Sequence, residues 1–187
     1  PCTGCYTSGA IDGTDWMRRV RQSYQAQFGE PMPVDVYNIH LYGPPNDQGY
    51  AYLTQGTVAF RTAMANEWGA RDKPLVVSEI GVRETVSWDA SVSLLNRMID
   101  FFNETTSPSI GNANDGNRLV QRWAWFTDLR PSYASGTYWY YTNLWVNDSG
   151  GLRTQLGAAY AAKAYANATQ TPTITRTPSL TATRTPT

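Results

Sequence analysis

Glu79 closes an apolar run. In DKPLVVSEIGV, residues 72–82, the five residues from Pro74 to Ser78 read as a buried strand, and a carboxylate follows them. Desolvating a carboxylate is costly unless something compensates, so a functional reason for it is worth seeking. Two other segments carry comparable residues. PVDVYNIHLYG places Asn38, His40 and Tyr42 at alternate positions, and RLVQRWAWFTD places Trp123, Trp125 and Thr127 at alternate positions. A carboxylate can act as nucleophile or base, an imidazole and a phenol can donate hydrogen bonds that keep it ionised, and an indole can stack on a flat, partly apolar ligand such as a sugar ring.

These residues need elements to hold them. DGTDWMRRVRQSYQAQFGE reads as a helix, with Trp16, Val20, Tyr24 and Phe28 recurring every four residues, Asp12 or Thr14 as cap and Gly29 as stop. PVDVYNIHLYG is a strand ended by Gly43-Pro44-Pro45. AYLTQGTVAFRTAMANEWG is a helix with Phe60, Met64 and Trp68 on one face and Gly69 as terminator. KPLVVSEIG is the second strand. SWDASVSLLNRMIDFFNE is a helix with the apolar stripe Trp88, Val92, Leu95, Ile99 and Phe102. RLVQRWAWFTD is the third strand, an aromatic loop (PSYASGTYWYYTNLWVNDSGG) follows, and Thr154 caps the last helix, QLGAAYAAKAYA.

Strands alternating with helices predict an α/β fold with a parallel sheet. An open sheet and the closing part of a (β/α)8 barrel both fit, and both gather working residues at the carboxyl ends of their strands. A complete barrel usually needs about 250 residues, whereas only about three and a half units are legible here. Alternation predicts that Val36, Asn38, His40 and Tyr42 share one face, with Tyr37, Ile39 and Leu41 on the helix-packing face. In the second strand it groups Leu75, Val77 and Glu79. The third strand offers Trp125, with Asp128 just beyond. Each residue also has a purely structural reading: a hydrogen-bonded core histidine, a core tryptophan, a glutamate paired with Arg83 or Arg122. The coincidence of three strands carrying such a residue at the same end favours a site.

The remaining sequence narrows the function classes. The chain has 15 basic and 15 acidic residues, so charge gives no argument for nucleic acid or an anionic membrane as partner. No run approaches the roughly 18 apolar residues of a membrane span, and no metal or organic cofactor is implied. Cys2 and Cys5 form one C-x-x-C, which with a single His cannot complete an ordinary four-ligand zinc site. A local disulfide in an exported protein is the preferred reading over a redox pair. From Thr169 onward every odd position is Thr or Ser, and Pro172, Pro178 and Pro186 remove sheet donors. That segment, 169–187, reads as an extended Thr/Pro-rich linker after a folded region, 1–168, to which further modules could be joined. Localisation is expected to be secreted or cell-surface.

The segments VDVYNIHLYG, KPLVVSEIGV, QRWAWFTD and NDSGGLRTQLGAAYAAKA together resemble the sixth, seventh and eighth βα units of clan A glycoside hydrolases, the cellulase-, xylosidase- and β-glucanase-like TIM-barrel families. The resemblance implies the C-terminal portion of a TIM barrel that lacks its N-terminal strands. It implies a retaining hydrolase of a β-linked polysaccharide, with Glu79 as nucleophile and Asn38, His40, Tyr42 and Trp125 around the sugar. Retaining enzymes hold two carboxyls about 5 to 5.5 Å apart. The family places its acid/base on the fourth strand, a unit this sequence does not contain, so the chain alone is expected to be inactive. Asn66-Glu67 and Asn103-Glu104 lie at helix ends and do not replace it. An inverting pair of Glu79 with Asp128 is a further possibility. Tyr138, Trp139, Tyr140 and Tyr141 either extend a sugar platform or pack on one another. The competing function is a non-catalytic carbohydrate-binding or cell-surface module. A serine esterase using His40 would need a G-x-S-x-G elbow, which the sequence lacks.

Overall fold

The computed structural model describes residues 12–83, 87–128, 140–146 and 151–168. Cys2 and Cys5, Tyr138 and Trp139, and the Thr/Pro-rich segment from Thr169 lie outside the described residues.

Each helix begins where the sequence supplies an acceptor for its free amides. Helix α1 (Gly13–Phe28) is capped by Asp12, whose side chain accepts the Thr14 N–H at 2.6 Å, and ends on Gly29 at φ 74°. Helix α2 (Asp47–Asn66) starts four residues before its apolar periodicity, because Asn46 accepts the Gly49 N–H at 2.8 Å. Gly49 suits this tight entry, since a Cβ there would lie 1.9 Å from the Pro44 carbonyl oxygen. Asn46→Ala is expected to cost about 1 kcal/mol, seen as a lower denaturant midpoint at unchanged slope. Helix α3 (Trp88–Glu104) is capped by Ser87, and α4 (Gln155–Ala168) by Thr154, whose hydroxyl accepts the Gly157 N–H at 3.0 Å.

Strands β1 (Tyr37–Gly43), β2 (Leu75–Val82) and β3 (Arg122–Trp125) form a parallel sheet in the order β1-β2-β3. One face is apolar and covered. Tyr37, Ile39 and Leu41 of β1 join Leu75, Val77, Ile80 and Val82 of β2 in a core with Leu53, Phe60 and Met64 of α2, and Leu95, Ile99 and Phe102 of α3. Leu156 of α4 completes it. The opposite face is open: Asn38, Arg122 and Ala124 are exposed on it. This is the α/β parallel-sheet class that the alternation of elements predicts.

Helix α1 departs from expectation. Its four-residue apolar row was expected to be its packing stripe, yet Trp16 is 44 % exposed and Phe28 56 %. The polar row instead meets the residues that follow α2 and the first residue of β1. Arg18 bonds Asp15 at 2.5 Å and Glu67 at 2.6 Å, and Arg21 donates to the Tyr37 hydroxyl at 2.7 Å while lying over the Trp68 ring. The Arg18 hydrogen bond holds the Glu67 carboxyl below its ordinary range. These groups are well exposed, so the cluster is worth under about 1 kcal/mol. Beneath it, Arg61 of α2 is fully buried and donates to the carbonyls of Arg71, Lys73 and Ile110. Among the described residues, no helix is long and apolar enough to cross a membrane.

Candidate active site

The open sheet face carries the titratable residues. Tyr42 and His40 stand on the carboxyl-terminal half of β1, and Glu79 stands beside them on β2. The Tyr42 hydroxyl donates to Glu79 Oε2. His40 Nδ1 lies 3.3 Å from the same oxygen. Both the imidazole and the carboxylate remain 33 % exposed, so the carboxylate is oriented from one side and open to solvent on another.

A one-residue irregularity brings Glu79 to this face. Asn38 pairs with Val76 and Ile39 with Val77, but His40 pairs with Glu79, which leaves Ser78 as an extra residue in β2. Strict alternation groups Glu79 with Leu75 and Val77, and both of those are buried against the helices. That grouping is corrected by the bulge. An inserted residue reverses every side chain beyond it, so Glu79 turns to the open face while Ile80 and Val82 take over the core face. Asn38, expected as a substrate contact, accepts the Ser78 N–H at 3.2 Å through Oδ1. It therefore braces the bulge from the neighbouring strand.

Trp125 lies elsewhere than expected. It pairs in register with Ile80 and belongs to the buried core, with its indole N–H donated to the Thr142 carbonyl at 2.9 Å. Trp123 occupies the same side, stacking on Phe102 with centroids 6.1 Å apart and meeting Tyr160 edge-on at 5.9 Å. No contact links Trp125 to Glu79 among the described interactions. The aromatic ring that β3 delivers to the site is Phe126, edge-on to Tyr42 at 5.7 Å. The signal for it is the composition of W-A-W-F: two large indoles against helices leave Ala124 and Phe126 for the other side. Tyr140 and Tyr141 pack on each other at 5.1 Å and both pack on Trp88 of α3. These two thus follow the self-packing alternative.

Gly81 and Thr142 were also not identified from sequence. Gly81 pairs with Tyr42. Thr142, in the short 3-10 turn Tyr140–Thr142, is fully buried and donates its hydroxyl to the Phe126 carbonyl while accepting the Val82 N–H at 3.3 Å. Strands β1, β2 and β3 contain Glu79 as their single acid. Asp128, just past β3, is exposed and accepts the Thr127 hydroxyl at 3.1 Å.

The site therefore presents a carboxylate fixed by a phenol and neighboured by an imidazole, partly open to solvent on the uncovered face of the sheet. No family model matches the chain, and no curated protein matches it. Among solved structures the chain is similar to a GH128 (subgroup II) endo-β-1,3-glucanase from Sorangium cellulosum, with 19 % identity and a TM-score of 0.56. The match covers 84 % of this chain and 52 % of the glucanase, so the chain spans about half the length of the solved structure it matches. At that identity the likeness is one of fold: the chain is folded like part of a glycoside hydrolase.

Proposed function

We propose that this chain is part of a retaining glycoside hydrolase acting on a β-linked polysaccharide, with Glu79 as nucleophile. The observation that carries this reading is the Glu79 carboxylate in the carboxyl-terminal half of β2, bonded by Tyr42 and 3.3 Å from His40, on the face away from the helices. In such a reaction the carboxylate attacks the anomeric carbon and the leaving oxygen takes a proton from a second carboxyl. A glycosyl ester forms, and water then displaces it. Charge at Glu79 stabilises the oxocarbenium-like transition state. The Tyr42 hydroxyl holds the attacking oxygen in line, and Phe126 offers an apolar edge beside the ring.

The second carboxyl is absent from β1, β2 and β3. We place it on a further βα unit of the same barrel. Two features support such a unit: the exposed large apolar side chains Trp16 and Phe28 of α1 and Val36 before β1, and the half-length coverage of the glucanase. An exported parent protein and a linker to a further module belong to the same proposal.

A 2-deoxy-2-fluoro glycoside with an activated leaving group tests the reading, because it accumulates the covalent intermediate. Mass spectrometry of the parent protein is expected to find one added glycosyl group on the peptide containing Glu79. Labelling elsewhere, or none while the substrate turns over, removes Glu79 as nucleophile. That the three described strands carry no second acid also favours an alternative, a non-catalytic sugar-binding module. Saturable oligosaccharide binding without turnover, unchanged by Glu79→Gln, would establish that role.

A further inference from the structure

Tyr42 reaches Glu79 by lying across its own register partner, Gly81. On β2, Gly81 follows Glu79 by two residues and so points to the same open face. A Cβ at position 81 would sit 3.2 Å from Tyr42 Cε1, 2.8 Å from Thr142 Oγ1 and 2.5 Å from the Phe126 carbonyl oxygen. The space that a side chain would fill is thus occupied by the tyrosine ring and by the strand-end junction. Thr142 closes that junction. Its hydroxyl binds the Phe126 carbonyl and receives the Val82 amide, which ties the segment after β3 to the end of β2. Phe126 in turn supports Tyr42 edge-on.

We propose that Gly81 and Thr142 are positioning residues for the Glu79 carboxylate: the absent side chain at 81 and the hydroxyl at 142 fix the Tyr42 and Phe126 rings, and the Tyr42 hydroxyl fixes Glu79. This deepens the glycosidase reading and rests on it for any consequence in turnover. The geometric half stands without it. Position 81 acts by exclusion: a Cβ there would collide with the Phe126 carbonyl oxygen and Thr142 Oγ1, forcing apart the junction that backs Tyr42, and would crowd the Tyr42 ring itself. Position 142 acts by attachment: the Phe126 N–H already donates to the Ile80 carbonyl at 2.7 Å, and the Thr142 hydroxyl adds the bridge between the Phe126 carbonyl and the Val82 amide, so its loss loosens the Phe126 ring behind Tyr42. Neither residue touches the reacting atoms.

Two readouts on Thr142→Val, Thr142→Ser and Gly81→Ala decide it. The first is the proton resonance of the Tyr42 hydroxyl in the chain itself, assigned by its disappearance in Tyr42→Phe. It is expected far downfield in the wild type, shifted or broadened away in Thr142→Val and Gly81→Ala, and retained in Thr142→Ser. The second is hydrolysis of a soluble β-1,3-glucan by the parent protein. A misplacement of about 1 Å costs up to 100-fold, so kcat is expected to fall about 10- to 100-fold in the valine and alanine variants. KM is expected to stay within about twofold, and serine to restore kcat. A wild-type resonance and wild-type kcat in Thr142→Val, with only the melting temperature lowered, would reduce Thr142 to a packing residue and overturn the proposal. Should Gly81→Ala fail to fold, the valine–serine pair carries the test. If the wild type hydrolyses nothing but the resonance moves in Thr142→Val and Gly81→Ala and stays in Thr142→Ser, the positioning role holds and the glycosidase reading falls.

Discussion

Glu79→Gln is expected to abolish hydrolysis by the parent protein, by roughly 10⁴-fold or more in kcat, which is the scale of removing a nucleophile. The side chain keeps its shape and an oxygen that can still accept from Tyr42. It loses the charge and the nucleophilic lone pair. At 1.36 kcal/mol per tenfold, a loss of that size corresponds to about 5.5 kcal/mol of transition-state stabilisation. The fold has little stake in the charge. Glu79 remains a third exposed, and its partners on β1 are a tyrosine and a histidine rather than a fixed cation. The melting temperature is therefore expected to stay within a few degrees of the wild type. The measurement is reducing-sugar release from soluble β-1,3- and β-1,4-glucans by variant and wild-type protein purified in parallel. Activity within a few-fold of wild type would remove Glu79 from the chemistry and return the open face to a binding role.

Much of this arrangement is legible in the sequence, and the failures have definite physical causes. Capping residues mark two helix starts: Asp12, rather than its alternative Thr14, caps α1, and Thr154 caps α4, whereas Ser87, which the sequence pattern does not single out, caps α3. Asn46 escapes the pattern because α2 begins with polar residues ahead of its apolar face. The pairing of Glu79 with His40 and Tyr42 was anticipated through an alternation that the bulge at Ser78 in fact reverses. Nothing in LVVSEIGV announces an extra residue. The pattern of buried positions, Leu75, Val77, Ile80 and Val82, reveals it: the spacing changes from two to three. Trp125 was misplaced for a related reason. Alternation gives the partition of a strand into faces but not which face is the core. In β1 the polar residues mark the open side. Along β3 and the residue after it both sets contain an aromatic, Trp123 and Trp125 on one side and Phe126 on the other, and the choice is made by Phe102, Asn103 and Tyr160, which receive Trp123 from helices distant in sequence. The exposed row of α1 has a third cause. Amphipathic periodicity says that a face seeks a partner, and Arg18 and Arg21 meet theirs at Glu67, Trp68 and Tyr37 while Trp16 and Phe28 stay exposed.

Arg61 sets the second large expectation, at the opposite end of the sheet from Glu79. Its guanidinium is wholly buried, and burial, reinforced by Arg71, lowers its pKa to about 10. It therefore stays charged at neutral pH without a carboxylate bonded to it. Its Nε donates to the Ile110 carbonyl at 2.9 Å, and its terminal nitrogens donate to Lys73 at 2.8 Å and Arg71 at 2.9 Å. Those three carbonyls belong to the loops that lead into β2 and β3, so one side chain on α2 satisfies the backbone of both strand entries. A methionine at 61 fits the aliphatic path but bonds none of them. Each buried acceptor left unpaired costs about 1–3 kcal/mol, offset in part because a buried charge is also removed. Arg61→Met is accordingly expected to lower stability by about 3–5 kcal/mol, the range of the largest single-site effects. For a domain of this size that is a fall of roughly 6–20 °C in melting temperature. Arg61→Lys keeps the charge and reaches fewer carbonyls, so it should fare little better, which separates loss of the fork from loss of the charge. Thermal and denaturant unfolding of the three proteins measures it. A methionine variant as stable as wild type would mean that water replaces the guanidinium at the strand entries, and that the loops before β2 and β3 are held by the sheet rather than by α2.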